Sequence, residues 1–191
     1  MRIILICLIF INLSCTIDRA IPLINSDEEK ILTEFKKLNN DNIATIANEN
    51  ENGKQLVLCL TYITKETKEI INNQKVFFYQ ATAQGEYEQI DPNNESTARL
   101  NAFAITDKKG RIFVKTVLPG DYGNTDDNRH IHSTVSGAKP EAYDIHFRQY
   151  ANNNLQNFIK NSDQHFLANL KYTKDSILVA FMTIEPKNIK E

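Results

Sequence analysis

A chain of 191 residues, 41% of them hydrophobic, is long enough to close one apolar core and asks for no second domain. Its 22 basic and 24 acidic residues leave a formal net charge of −2 with no concentrated basic run, so the electrostatic footprint of a nucleic-acid or membrane-surface binder is missing. Small molecules or proteins are the expected partners, and nucleic acid is not.

Residues 1–14 read as an export signal: Arg2, an apolar run over 3–11, then Asn12-Leu13-Ser14. The run is too short for a comfortable bilayer span and is excluded from the fold. Cys15 after Leu13-Ser14 resembles a bacterial lipoprotein cleavage box, although Asn12 stands where leucine is usual. Plain secretion and an uncleaved anchor stay open beside lipidation. The expected location is outside the cytoplasm, periplasmic or lipid-anchored at the outer membrane, alternatively secreted, with the membrane touched only through the modified terminus. With Cys7 leaving in the signal and Cys15 lipidated, Cys59 has no intramolecular partner. Within Leu56-Val57-Leu58-Cys59-Leu60 it reads as a buried thiol acting as a small hydrophobe.

Ser26-Asp27-Glu28-Glu29 looks like a capping box, and Ile31, Leu32, Phe35 and Leu38 follow at helical spacing, which predicts one short amphipathic helix. Residues 39–54, rich in Asn, Asp and Glu, read as a solvated connection; residues 15–54 are thus helix and linker, and 55–191 the main body. From residue 55 the pattern changes to short β-branched and aromatic runs separated by turn signals, which predicts an all-β sandwich. Strands are expected over 55–63, 75–81, 101–106, 111–116, 130–136, 143–148 and 176–184. Asp107-Lys108-Lys109-Gly110 reads as a hairpin connection with the glycine at a positive φ. Leu118-Pro119-Gly120-Asp121-Tyr122 reads as a tight turn in which proline presets one φ and glycine tolerates the next. Residues 152–160 predict a minor C-terminal helix, weakened by three consecutive asparagines.

His130 and His132 stand two apart in an expected strand, so alternation puts both rings on one face, about 7 Å apart along the backbone. Two rings at that separation can converge on one ion. The same spacing is equally at home in a pair of structural histidines, and the pattern by itself leaves both readings open.

The run into that strand adds to it. Gln80-Ala81-Thr82-Ala83-Gln84-Gly85-Glu86-Tyr87 closing a strand, Pro119-Gly120-Asp121-Tyr122 closing the segment from Ile105, and then His130-Ile131-His132 together resemble the catalytic core of the intradiol ring-cleavage dioxygenases. The resemblance covers roughly 76–147. It implies an Ig-like or transthyretin-like sandwich with a short N-terminal helix, and one Fe(3+) held by Tyr87, Tyr122, His130 and His132. It further implies a small catechol-type aromatic diol and O2 as substrates, cleavage between the two hydroxylated carbons, and Tyr122 as the ligand that leaves when the diol binds. Hard ferric iron suits two anionic phenolates. Tyr87 and Tyr122 each have a bland alternative, a turn tyrosine reaching solvent and a sandwich-corner tyrosine.

Two positions depart from the family pattern. The arginine usual three residues before the first histidine is Asp127, while Arg129 adjoins His130; alternation points Arg129 away from the ligands unless the loop over 124–128 bends the chain. The glutamine or arginine usual fourteen residues after the second histidine is His146, a candidate to hydrogen-bond substrate or to act as an acid–base group. Arg129, His146 and Tyr122 are therefore the catalytic candidates. The competing readings are a non-catalytic binding module of the carboxypeptidase-regulatory or transthyretin-like kind, and zinc at the His-x-His strand, for which two tyrosines are a poor ligand set. The long N-terminal helices that serve dimerisation in some relatives are absent, which leaves a minimal monomer, or a homodimer, as the expectation.

Overall fold

The computed structural model describes residues 20–122 and 127–187. The predicted export segment, with Cys7 and Cys15, lies outside them, as does part of the loop after Tyr122.

Helix α1 spans Ser26–Lys36, and among the described residues no helix is long and apolar enough to cross a membrane. The helix start is capped one residue earlier than Ser26. Asn25 Oδ1 accepts from the backbone N–H groups of Asp27 and Glu28 at 3.0 and 2.9 Å, and the Glu28 carboxylate accepts from the Asn25 N–H at 3.0 Å. The same spacing is thus served from Asn25, an equally good cap, which leaves Glu29 outside the box and beside Lys174.

The first sheet holds β1 (Ile43–Thr45), β2 (Gln55–Tyr62), β5 (Arg111–Val117), β9 (Lys171–Tyr172) and β10 (Leu178–Ile184), in the order β1-β5-β2-β10-β9. The second holds β3 (Lys75–Gln80), β4 (Leu100–Ile105), β6 (Asn128–Val135), β7 (Ala142–Ala151) and β8 (His165–Ala168), in the order β4-β3-β6-β7-β8. Helix α2, Asn153–Lys160, links β7 to β8. Leu56, Leu58, Leu60, Ile112 and Val114 of the first sheet bury their side chains against Val76, Phe78, Ile131, Val135, Ile145 and Phe147 of the second. On the far face of the first sheet, Cys59, Phe113 and Val179 pack under Leu32 and Phe35 of α1. Strand β2 is therefore apolar on both faces, and Cys59 is a buried thiol whose pKa burial pushes up to about 12.

Two readings are corrected. Within 39–54, Ile43–Thr45 pairs in parallel with β5 as an edge strand, and Ala44, Ile46 and Ala47 are buried; polar neighbours masked a three-residue strand. The turn over 107–110 does not close a hairpin, because β4 pairs with β3 in one sheet while β5 pairs with β2 in the other. Gly110 does take the positive φ, +72°, and a Cβ there would stand 2.5 Å from the Tyr62 carbonyl oxygen.

Candidate metal centre

The inward residues of β6 are Ile131, Ser133 and Val135, so His130 and His132 stand on the outer face of the second sheet. On its neighbours, alternation sends Tyr79 of β3 and Asp144 and His146 of β7 to the same face. Register then aligns them. Tyr79 pairs with His132, His132 with Asp144, Asp144 with His165, and His130 with His146.

Two turns bring the tyrosines to this face. Gly120 N–H and Gly85 N–H both donate to the Thr82 carbonyl, at 2.8 and 3.0 Å. A Cβ on Gly120 would lie 2.6 Å from the Ala83 carbonyl oxygen, and one on Gly85 would run into the Asp121 carbonyl. Only two glycines let these backbones meet so closely. Gly120 has no positive φ, so its role is this close approach rather than the turn conformation expected of it; Gly85 has φ +88°. Two residues beyond each glycine, Tyr87 and Tyr122 meet edge to face with centroids 5.0 Å apart.

At the centre, Tyr87 Oη lies 2.7 Å from His132 Nε2, and His130 Nε2 lies 3.1 Å from His132 Nε2. The hydrogen-bond network assigns both tautomers. His130 Nδ1 faces the Asn128 carbonyl at 2.9 Å, which can only accept, so the proton is on Nδ1. His132 Nδ1 faces Asp144 Oδ1 at 2.7 Å. Burial opposes ionisation of Asp144, but the hydrogen bond from His132 prevails and holds its carboxyl below the usual range, so it too accepts. Both Nε2 atoms therefore present lone pairs to each other. Burial, and then the neighbouring His132, lowers the His130 pKa and keeps that ring neutral. Tyr87 Oη supplies one proton, to His132; burial holds this phenol far above its ordinary pKa, and ionising it here takes a cation close by. Two converging imidazole lone pairs and a phenol at one point are a donor set fit for a hard or borderline metal ion. Asp144 occupies Nδ1 of His132, so within the grouping of His130, His132 and Asp144 it orients a ring.

The ring of Tyr122 lies edge-on to His130, centroids 6.3 Å apart, while its Oη donates to the Glu95 carboxylate, which raises the phenol pKa. Arg129 does not join the group. Its guanidinium donates to Asp121 Oδ2 at 3.1 and 2.9 Å and lies over the Tyr150 ring at 4.3 Å, where the β6–β7 register shifts between Asn128 and His130. His146 is 4% exposed and stacks on His130 with centroids 5.1 Å apart, and burial, followed by the neighbouring His130, lowers its pKa to about 3. It stands behind a ligand candidate and faces His165, with Nε2 and Nδ1 3.0 Å apart. Sequence reasoning missed Asp144, His165 and Glu95. Alternation from His146 could have found Asp144; nothing local marks the other two.

A family model described as dioxygenase matches residues 31–188. No curated protein matches the chain. Among solved structures it resembles an intradiol ring-cleavage dioxygenase from Tetranychus urticae, at TM-score 0.58 and 15% identity over 81% of this chain and 91% of that one. The dioxygenase domain of a carbohydrate-binding fusion from Streptomyces sp. SirexAA-E gives TM-score 0.56 and 15% identity over 77% and 90%. The catechol 1,2-dioxygenase of Acinetobacter radioresistens gives 0.58 and 17% over 78% of this chain but only 58% of that longer one. At these identities the structural likenesses establish a shared fold.

Proposed function

This chain belongs to the intradiol ring-cleavage dioxygenase family, and from that premise we propose that it holds one ferric ion on Tyr87, Tyr122, His130 and His132 and cleaves a catechol-type diol between its hydroxylated carbons with O2. The observation that carries the reading is the convergence of His130 Nε2 and His132 Nε2, 3.1 Å apart, with a phenol oxygen 2.7 Å away and an acceptor facing each Nδ1. Tyr87 can donate its one proton to only one of the two lone pairs; a cation would engage both rings and the phenol oxygen at once. Bound iron supplies a centre that draws electron density from a diol and so prepares the ring for oxygen.

The residues around it have separate tasks. Asn128 and Asp144 lock the two rings in the ligating tautomer. Tyr79 stacks on His132 at 4.5 Å and limits its rotation. Glu95 accepts from the Tyr122 phenol and gives that side chain a position, protonated at Oη, when a diol takes its place. Export through residues 1–14 would put the reaction outside the cytoplasm.

The test is reconstitution with Fe(3+). The reading expects a coloured protein, from phenolate-to-iron charge transfer, and O2 uptake on adding catechol. A colourless protein, or a Tyr87→Phe/Tyr122→Phe variant with undiminished iron content, overturns it.

A further inference from the structure

We propose that Asp144, His146 and His165 form a second cation site, for a divalent ion of borderline softness such as zinc, beside the proposed ferric centre and joined to it through Asp144. The three side chains meet because β8 pairs in parallel with β7, which sets His165 directly across from Asp144, while His146 lies two residues further along β7 on the same face. One ligand atom from each lies within 4.8 Å of the others.

The spacings fit an ion. His165 Nδ1 is 3.0 Å from His146 Nε2 and 3.6 Å from Asp144 Oδ2. A tetrahedral ion with bonds of about 2.0–2.1 Å sets its ligands roughly 3.3 Å apart, between these values. A single proton between His165 Nδ1 and His146 Nε2 satisfies that pair alone and leaves Asp144 Oδ2, 3.6 Å from His165 Nδ1, outside the bond; an ion would engage all three. Asp144 Oδ1 is already engaged by His132 Nδ1, but Oδ2 is on the side of His165 and adds negative charge.

The site has an approach. The His165 side chain is 25% exposed and lines a cleft of about 540 Å³ beside α2, with Arg148, Gln156 and Phe166, and its ring meets that of Phe158 edge to face with centroids 4.9 Å apart. Lys65, on the rim, is engaged by Asp163. A fourth ligand from solvent would complete the shell, as in open zinc sites. The two centres would communicate. An ion on Oδ2 draws charge from the carboxylate that orients His132, and His146 stacks on His130.

The experiment titrates the full chain with Co(2+), an optical probe for zinc sites, and counts bound metal by elemental analysis. The iron-loaded chain is expected to take up one further equivalent, displaced by Zn(2+). His165→Ala and His165→Gln should each weaken that uptake by about tenfold or more with iron content unchanged, and circular dichroism shows which variants are folded. Should no iron load, the count is made on the iron-free chain, where His165→Gln must remove one equivalent that His130→Ala leaves in place. The proposal falls if the iron-loaded chain takes up no further equivalent, or if a folded His165 variant binds Co(2+) as tightly as the parent.

Discussion

Substituting Gly120 by alanine separates the close approach of two turns from every other use of glycine here. The added Cβ would sit 2.6 Å from the Ala83 carbonyl oxygen, where ordinary contact begins at 3.4 Å, a shortfall of about 0.8 Å. The obstructing atoms belong to the backbone of residues 83–85, which has no rotamer to change, so the two turns must separate by a comparable amount. Overpacking of this size costs roughly 1–3 kcal/mol, or a Tm lower by up to about 10 °C in a chain of this length. Tyr87 and Tyr122 ride on those turns, and a displacement of about 1 Å is enough to cost on the order of a hundredfold in activity. Gly137→Ala is the control. Gly137 has φ +81° with nothing within 4 Å of the added atom, so it pays backbone strain of about 1–2 kcal/mol and leaves the tyrosines alone. Circular dichroism gives the Tm, and charge-transfer absorbance with O2 uptake reports the site. Both variants should lose stability, and only Gly120→Ala should lose colour and turnover. A Gly120→Ala protein with full absorbance and unchanged Tm would refute the reasoning.

Removing the carboxylate that holds Tyr122, in Glu95→Gln, should let this phenol ionise at lower pH, since the bond to Glu95 and its charge are what raise the pKa; ultraviolet difference titration of iron-free protein reads the shift. Asp107 bridges its turn to Arg111 at 2.7 Å, and although burial opposes it, the bonds from Arg111 hold its carboxyl below the ordinary 3.8. Its stabilisation, about 1–2 kcal/mol, is therefore present above that ordinary value and lost as pH falls through the lowered one. The Tm difference between parent and Asp107→Asn should accordingly be constant near neutrality and vanish in strong acid. The Cys59 thiol, 2% exposed with its pKa raised by burial, should resist a thiol reagent in native protein and react once guanidinium unfolds the chain.

Much of this protein was legible in local pattern. Period-two alternation in Arg129-His130-Ile131-His132 was enough to put both imidazoles on one face, because a strand's side chains alternate whatever its partners are. Resemblance to the intradiol pattern, and not spacing, picked out Tyr87 and Tyr122, while the seven expected strands correspond to strands of the fold. What pattern could not decide is non-local. Whether the chain turns back on itself or crosses to the other sheet at Asp107-Gly110 depends on which strand offers the better edge, and the turn residues are the same in either case. The three-residue β1 and four-residue β8 are too short to show a period and exist because a neighbouring edge pairs them. That pairing alone sets His165 across from Asp144, and a contact between two separate segments pairs Arg129 with Asp121. Sequence determined which side chains could serve a metal, since that follows from residue type and strand period; tertiary structure decided which of them share a point, since register and packing act between segments far apart in the chain.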